Sequence, residues 1–578
     1  MPPRERQLAT SVLVVGAGAS GLRAAIEVAE AGIAVTAVSK RPVSTEEPGT
    51  VMSTGGISAA LATTDPADTW EQHAADTLSE SQLLADPRTV QLVTRNAAQG
   101  IHDLERYGMS FDRQDDGRIA QRQFDAHARP RTAHAGENTA AHVHRVLREH
   151  AERLAIPVLT NLYITTILVN NGTVFGAYGF DLVDGTRYLV HADAVILATG
   201  GHTRIWRRTS ARRDENTGDS FRLAAEAGAR LRDPELVQFH PAGLLTPEPV
   251  AGILVSESAR EEGAILLNNL GERFMTRYDP QRMEKSSRDT VALASYNEIK
   301  HGRGTQTGGV WLDLSHLPAE TVLTRLPRVY QALLGLQKLD VTRDPIEVAP
   351  TAHRSLGGVW TRPEDHGTDI EGLYVTGEAA SGLHGANPLG GNFLTALLVC
   401  GRITGQAAAE YSARLISQRR SPAAIRLAEA DVDRLLAADG SHNVRALQRA
   451  VRNLMTEHAG VVRDEAGLRA GLAALEVIGA QMADVGVHTD IGGYRDLAHA
   501  FDLRSAVLAA RATLECALER RETRGAHIRS DHPDLDPQLQ VNLVWSPRTG
   551  VRREPIPPIP TDIAELMGDV PVEGTYRA

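Results

Sequence analysis

The residues of this chain that could do chemistry begin with a glycine-rich loop near its start. The apolar run 11–15 (SVLVV) predicts a buried strand, and GAGASG follows it directly. Gly16 suits a tight turn, Gly18 allows a pyrophosphate to approach the backbone, and Gly21 allows close contact between helix and strand. A helical pattern and a second strand-like run come next. This β-α-β order predicts a dinucleotide held at the N-terminus of the helix.

The second strand of this unit ends without the acidic residue that usually binds a ribose hydroxyl. It ends in Ser39, Lys40 and Arg41, which argues against a nicotinamide cofactor. Further strand-like runs enter glycine turns at 192–201 (ADAVILATGG) and at 372–392. A single dinucleotide contacted by all of these segments would explain why glycine clusters recur along the chain.

The composition is that of a folded protein that binds small molecules. Hydrophobic residues make up 42% and charged residues 23% of the 578 residues, as in ordinary globular proteins. The net charge of -11 includes no long basic run, so we expect no nucleic-acid binding. Cys400 and Cys516 are the two cysteines, and no CxxC spacing occurs, so we predict neither a metal site nor an iron-sulfur cluster.

The apolar runs of the chain are too short to cross a membrane. The start of the chain passes within about ten residues into the first strand, which leaves no room for a signal peptide. We therefore expect no direct membrane insertion and a cytoplasmic location.

Ten motifs between about residues 10 and 535 occur in the order found in one known family. They include VGAGASGLRAA, STGGISAAL, ATGGHTR, PTAHRSLGGVW and TGEAASGLHGANPLGGN. Through these motifs the chain resembles the flavoprotein subunits of succinate dehydrogenase and fumarate reductase, together with the related L-aspartate oxidases. The second strand of that family also ends in Ser-Lys, which removes the difficulty of the missing acid.

The resemblance implies an α/β fold with an FAD-binding Rossmann-like domain, an inserted α+β capping domain and a C-terminal helical domain. The expected ranges are 1–240 and 350–415 for the FAD-binding domain, 241–349 for the capping domain, 416–528 for the helical domain and 529–578 for a C-terminal segment. Amphipathic patterns at 426–460 and 504–524 independently favour helices. The proline-rich stretch 547–562 indicates irregular structure.

The resemblance also implies that FAD is the cofactor. The family's FAD-binding positions correspond here to Gly16, Gly18, Ala19, Ser20, Gly21, Ser39, Lys40, Thr54, Gly55, Gly56, Ala198, Thr199, Gly200, Asp219, Gly377, Glu378, His384, Asn392 and Leu394. Membrane-complex relatives attach FAD through a histidine just before the GG segment. The stretch 44–58 contains no histidine, and the first histidine of the chain is His73, so we expect non-covalent FAD.

The same resemblance assigns roles around the flavin, where hydride passes to or from a carbon beside a carboxylate. Arg288 falls where the family places its proton-transfer arginine. Glu257 and Arg260, spaced to share one face of a helical turn, fall on the pair that passes the proton inward. The positions that contact the substrate carboxylates are His240, Ser256 and His353.

Pro388 is a departure from the family pattern. Relatives carry an arginine at this position, and its guanidinium binds the second carboxylate through two hydrogen bonds. Proline has no donor, and charge-assisted hydrogen bonds contribute about 1.5–3 kcal/mol each, so turnover of plain fumarate or succinate is in doubt. Either Arg354, which replaces a tyrosine, supplies the missing charge, or the substrate is less acidic or larger at this end. We favour the second alternative, because neighbouring residues of an extended segment point to opposite faces.

The segment 206–215 (WRRTSARRDE) is rich in arginine. We favour a solvated charged loop, and the alternative is a docking patch for an acidic partner or carrier.

These features favour a soluble FAD enzyme that reduces an α,β-unsaturated acid, or dehydrogenates the saturated acid, and that exchanges electrons with an external donor or acceptor. One alternative is an amino-acid oxidase of the aspartate-oxidase kind. Another is a flavoprotein subunit that works with an iron-sulfur partner, which RGAHIRSDHPDLD near the C-terminus keeps open.

Overall fold

The first part of the chain forms the sheet that the glycine loops predict. The computed structural model describes residues 4–41, 55–124, 126–136, 138–489 and 493–568. Its first elements are β1 (Glu5–Val15), α1 (Ala19–Glu30), β2 (Val35–Val38), β3 (Ile57–Ser58), α2 (Trp70–Glu80), α3 (Pro87–Tyr107), β4 (Gln121–Arg122), β5 (Thr132–Ala133), α4 (Thr139–Arg153), β6 (Val158–Leu159), β7 (Leu162–Asn170), β8 (Thr173–Asp181), β9 (Arg187–Leu197), α5 (Asp219–Ala227), β10 (Leu231–Arg232) and β11 (Val237–Leu244). The predicted strand, helix and second strand correspond to β1, α1 and β2.

The capping region follows, and its own sheet contains the two strands that enter and leave it. Its elements are α6 (Ser258–Glu261), β12 (Ile265–Leu267), α7 (Met275–Tyr278), α8 (Arg288–Glu298), β13 (Val310–Asp313), α9 (Ala319–Arg325), α10 (Pro327–Gln337) and β14 (Ile346–Ser355). The sheet order is β11-β14-β13-β12, and all neighbours are antiparallel. The predicted domain boundaries therefore fall inside two paired strands, β11 and β14.

The chain then continues through β15 (Gly358–Val359), which pairs with β10, and returns to the first sheet at β16 (Leu373–Val375), before α11 (Asn392–Arg414). The first sheet has the order β6-β2-β1-β9-β8-β7, and β16 pairs in parallel with the end of β9. Strands β6, β2, β1 and β9 are also parallel to one another. The parallel strands place the loops at their carboxyl ends along one edge, where open α/β sheets bind ligands.

The C-terminal part combines helices with short strands that belong to three small sheets. Its elements are α12 (Pro422–Leu436), β17 (His442–Asn443), α13 (Val444–His458), β18 (Val462–Arg463), α14 (Glu465–Gln481), β19 (Val485–Gly486), α15 (Arg495–Glu519), β20 (Ile528–Arg529), β21 (Val541–Ser546), β22 (Gly550–Pro555) and α16 (Thr561–Met567). The amphipathic pattern over 426–460 corresponds to α12 and α13, which a turn separates. Buried Arg520 joins this part to the first domain through ion pairs with Asp233 and Glu235.

The prediction of irregular structure over 547–562 is wrong for its first half. Strands β21 and β22 form an antiparallel hairpin, and β21 also pairs with β10. Gly550 adopts φ +63° at the turn, a conformation that glycine allows at little cost. Pro547 lies in the turn, Pro555 is the last residue of β22, and the other prolines of this stretch follow it, so none interrupts the interior of a strand.

Candidate active site

The glycine loop between β1 and α1 is shaped by contacts that leave no room for a side chain at two of its glycines. Gly16 adopts φ +113°, and a Cβ there would lie 2.3 Å from the carbonyl oxygen of Ala198. A Cβ on Gly21 would lie 1.9 Å from the carbonyl oxygen of Gly16. Nothing lies within 4 Å of the corresponding position on Gly18, which caps α1 without a side-chain hydrogen bond. The first N–H groups of α1 are therefore presented to open space, as an anion site requires.

A second group of polar side chains stands at the end of β2. The Lys40 ammonium donates to the Asp219 carboxylate at 2.7 Å and to the Thr217 hydroxyl at 3.0 Å. Tyr163 donates to Asp502 at 2.8 Å. Burial disfavours the charge on Lys40, but the carboxylates of Asp219 and Asp502 together raise its pKa. Lys40 is thus held as a cation beside the cleft.

These groups line a cleft of about 1710 Å³, counting its solvent-filled mouth. Most of the predicted FAD-binding residues line it: Gly16, Gly18, Ala19, Ser20, Ser39, Lys40, Ala198, Thr199, Gly200, Asp219, Gly377, Glu378, His384 and Leu394. The Thr199 hydroxyl and Nδ1 of His384 are buried there without a hydrogen-bond partner among the described residues. Open glycine backbone, an uncapped helix and unpartnered polar atoms fit a dinucleotide such as FAD.

Five of the predicted FAD-binding residues do not line this cleft or cannot be located. Gly21 packs beneath the loop, and Gly56 packs against Ala133, where a Cβ would lie 2.4 Å from its carbonyl oxygen. The side chain of Asn392 forms hydrogen bonds with His73 at 2.8 Å and with Thr77 at 2.9 Å. Gly55 does not line the cleft, and Thr54 lies outside the described residues.

The predicted proton relay comes together in one place. Glu257 accepts hydrogen bonds from Arg288 at 2.7 and 3.1 Å through one oxygen, and its other oxygen pairs with Arg260. Burial raises the pKa of the Glu257 carboxyl, but Arg288 and Arg260 outweigh this effect and hold its pKa well below the usual range. Ser287 caps α8 by accepting from the Thr290 amide, which fixes Arg288 at the first helical position. A carboxylate therefore bridges two guanidinium groups.

Two histidines stand beside this relay. The rings of His240, from β11, and His353, from β14, are 5.7 Å apart, and His353 also lines the cleft. Nδ1 of His353 lies 2.8 Å from the Ser210 hydroxyl. Burial lowers the pKa of His240 to about 3 and that of His353 well below its ordinary value, and Arg288 adds to both shifts. Both imidazoles are therefore neutral at physiological pH.

Arg354 and His353 both line the cleft, contrary to our expectation from strand geometry. The pairing of β11 with β14 shifts between Gln238 and Phe239, so that Ala352 and Arg354 oppose adjacent residues. This bulge lets His353 and Arg354 both line the cleft. The Arg354 guanidinium donates to Glu378 at 2.9 Å and stands 5.4 Å from the centre of the Phe393 ring.

The remaining predicted substrate residues differ in their surroundings. The Ser256 hydroxyl lies 2.7 Å from that of Ser258, just before α6. Pro388 is buried and does not line the cleft. Its neighbour Asn387 donates to Glu80 at 2.5 Å. The described contacts thus bring His240, His353 and the relay together. Of the predicted catalytic and substrate residues, His353 and Arg354 line the cleft, whereas His240, Ser256, Glu257, Arg260, Arg288 and Pro388 do not.

Three neighbours of the site were not predicted. Gln238 accepts from Arg288 at 3.4 Å, and its position two residues before His240 could have indicated that both share a face of β11. Ser210 and Phe393 carry no comparable signal, because their contacts depend on segments that are remote in the sequence.

A glycine-loop dinucleotide cleft beside a histidine pair and an arginine-carboxylate relay defines a flavin-dependent oxidoreductase. The model of the FAD binding domain matches residues 11–394, and that of the fumarate reductase flavoprotein C-terminal region matches residues 448–555. The chain belongs to the succinate dehydrogenase and fumarate reductase flavoprotein family, and its cofactor is FAD.

Named relatives agree over nearly the whole chain. It is 38% identical to one subunit of the fumarate reductase (CoM/CoB) of Methanothermobacter marburgensis, over 92% of this chain and 96% of that protein. It is 35% identical to the succinate dehydrogenase flavoprotein subunit of Rickettsia bellii, over 90% of both chains. Sdh1 of Mycobacterium smegmatis, solved in complex with UQ1, superposes with a TM-score of 0.90 at 33% identity, over 99% of this chain and 98% of that chain. Among the described residues, the helices are too short or too polar to span a membrane.

Proposed function

We propose that this protein transfers hydride between FAD and a carbon beside a carboxylate, either reducing an enoic acid or dehydrogenating the saturated acid. The observation that supports this most strongly is the Glu257 carboxylate bridging Arg260 and Arg288 next to the histidine pair. When bound, FAD supplies or accepts the hydride. The chain's own residues bind the acid and move the accompanying proton.

In this proposal Arg288 delivers a proton to the substrate carbon in the reducing direction. The pKa of Arg288 is raised by Glu257 despite burial, so its proton is transferred only beside the negative charge that develops in the transition state. Glu257 stabilises the cationic form and orients the guanidinium through two hydrogen bonds to Nε and Nη2. Arg260 extends the relay inward to the backbone carbonyl of Glu284, at 2.6 Å.

His240 and Ser256 bind one carboxylate in this proposal, and His353 is a second histidine that contacts the substrate. Neutral imidazoles donate hydrogen bonds without an added positive charge, so they orient the acid while Arg288 supplies the nearby charge. Ser210, 2.8 Å from Nδ1 of His353, fixes the orientation of that ring.

We propose further that plain fumarate and succinate are poor substrates. Pro388 offers no donor, and the guanidinium of Arg354 is already paired with Glu378. A substrate with one carboxylate at the His240 end and a less acidic or larger group at the other end suits this arrangement better. Because several relatives are named as subunits, a partner such as an iron-sulfur protein could exchange electrons with FAD. Non-covalent FAD and the cytoplasmic location stay predictions.

The test is anaerobic reoxidation of the dithionite-reduced, FAD-loaded protein. The panel contains fumarate, monocarboxylic enoates, aryl acrylates, imino acids and oxygen, and the flavin spectrum is followed. We expect a monocarboxylic acid to reoxidise the flavin rapidly while fumarate reacts slowly. Fumarate reacting as fast as the best acid, with no change in Arg354→Ala, would show that the substrate proposal is wrong. Reoxidation by oxygen alone, with reduction by an amino acid, would favour an oxidase.

A further inference from the structure

A group of arginines meets where the three main parts of the chain converge, and the proposed chemistry does not use it. We call it the arginine junction, and it consists of Arg204, Arg207, Arg208, Arg213, Arg449 and Arg452. It combines the turn after β9 and the loop 206–213 with one face of α13. Half of these side chains are exposed, whereas those of Arg204, Arg208 and Arg452 are half-buried.

Hydrogen bonds hold the three segments of the junction together. The backbone amide of Arg207 donates to the Thr456 hydroxyl at 2.9 Å, which places the loop against α13. Thr456 shares a helical face with Arg449 and Arg452, because these residues are spaced by three, four and seven positions. Arg208 donates to the Thr307 carbonyl of the capping region at 3.3 Å. The guanidinium groups therefore belong to a defined surface of the fold.

The nearby carboxylates are already engaged with other groups. Asp214 lies 3.6 Å from a nitrogen of Arg41, and Asp502 accepts from Tyr163. Glu347 accepts from the hydroxyls of Thr305 and Thr307. In the part of the chain that the structure describes, no carboxylate forms an ion pair with any guanidinium of the arginine junction.

In the described part of the chain, the charges of the half-buried arginines in the junction are not neutralised by neighbouring carboxylates. Nε of Arg204 is buried without a hydrogen-bond partner among the described residues. Burial, together with the neighbouring Arg452 and Arg213, lowers the pKa of Arg204 to about 10 against the opposing effect of Asp214. Burial likewise lowers the pKa of Arg452, to which Arg213 and Arg449 contribute. A bound anion would relieve this repulsion and satisfy the open donor.

The junction is also adjacent to the active site. Arg204 donates to the Ala211 carbonyl at 3.4 Å, and Ala211 lines the cleft. The preceding residue, Ser210, holds His353. None of the six arginines lines the cleft itself. The half-buried guanidiniums of Arg204, Arg208 and Arg452 suit a compact, multiply charged group, whereas an acidic protein surface would contact mainly the exposed arginines.

We propose that the arginine junction binds a phosphate-type anionic group carried by the substrate. The contacts described above support the anion-binding site itself. Its assignment to the substrate rests on the proposed enoic acid chemistry.

The first test measures binding of inorganic pyrophosphate to the FAD-loaded protein by titration calorimetry, with sodium chloride matching the ionic strength. FAD occupies its own site in this experiment, so the probe reports a second anion site. We expect Arg204→Gln and Arg452→Gln each to weaken binding by about tenfold. The matched control is Arg469→Gln, because Arg469 is exposed in the same helical region and pairs with Glu465 at 2.7 Å. The flavin spectrum and the melting temperature check that each variant is folded.

Equal pyrophosphate affinity in all three variants would overturn the proposal. Binding of a polyglutamate peptide without binding of pyrophosphate would also overturn it, in favour of an acidic protein partner. The second test compares enoic acids with and without a phosphate ester in flavin reoxidation. We expect half-saturation at about tenfold lower concentration for the phosphorylated acid, and loss of this advantage in Arg204→Gln. If pyrophosphate binds through the junction but no enoic acid reoxidises the flavin, the anion site is supported and the proposed function is wrong.

Discussion

The FAD cleft and the proton relay differ in which part of the chain builds them. The cleft presents backbone at Gly16, Gly18 and Gly200, and a side chain at Gly16 or Gly200 would overlap neighbouring protein atoms. The relay is built from the side chains of Glu257 and Arg288, held by the capping region. A backbone site constrains the sequence to glycine over several segments. A side-chain site can change its specificity by single substitutions while the fold stays the same.

The largest expected effect tests the side-chain site. We expect Arg288→Gln to lower the rate of flavin reoxidation by the best acid about a thousandfold, because positioned proton transfer contributes about 10²–10⁴-fold. Bound FAD and its spectrum should be unchanged. Stopped-flow absorbance under anaerobic conditions measures the rate. Arg325→Gln is the control, since Arg325 is exposed in the capping region and pairs with Glu262 at 3.2 Å. A loss below threefold in Arg288→Gln would remove this residue from the mechanism.

Substitutions at two glycines of the backbone site should affect different properties, one the stability of the fold and the other the affinity for FAD. We expect Gly21→Ala to lower the free energy of unfolding by about 3 kcal/mol, because its Cβ would overlap the Gly16 carbonyl. Gly18→Ala has free space for its Cβ, so the FAD-free protein should keep its stability. Its affinity for FAD should fall about tenfold, since the methyl group occupies the approach to the helix. Urea denaturation and fluorescence titration with FAD measure the two quantities. The same response in both variants would contradict this distinction.

Restoring the arginine at 388 should make the side-chain site more like that of the relatives. We expect Pro388→Arg to raise kcat/KM for fumarate about tenfold, because a guanidinium can bind a second carboxylate through two hydrogen bonds. Pro388→Ala is the matched control, since it removes the ring without adding a donor. Unchanged fumarate turnover in Pro388→Arg, with FAD still bound, would mean that another feature excludes the dicarboxylate.

The smallest expected effect concerns pH. The pKa of His240 is about 3 in the folded protein and about 6.5 in an unfolded chain, so the unfolded state binds more protons between these values. Stability is therefore fully present above pH 6.5 and is lost as the pH falls towards 3. Lowering the pH from 7 to 5 should reduce the free energy of unfolding of both the wild type and His240→Asn. We expect the reduction to be smaller in His240→Asn by about 1–2 kcal/mol. Urea denaturation measures this, and His316→Asn, at an exposed position, should behave as the wild type does.

Local patterns predicted much of the fold and of the site. The alternation of apolar runs and glycine turns predicted β1, α1 and β2, because the backbone conformations of a strand, a tight turn and a helix depend on consecutive residues. The family motifs also identified His240, His353 and the residues of the relay, which lie close together in the structure. The bulge that places Arg354 beside His353 was not predictable, because it arises from the register between β11 and β14. The hairpin of β21 and β22 was missed because the prolines of 547–562 indicated irregular structure, and because β21 is also held by β10, whose residues lie about 310 positions away.

The parallel pairing of β16 with β9 has a consequence for how the protein is made. Translation must continue from Leu197 to Leu373 before the strand that completes the FAD sheet exists. At about 5–20 residues per second, this interval lasts about 10–35 s. During that time the nascent chain holds an unfilled strand position while the capping region emerges.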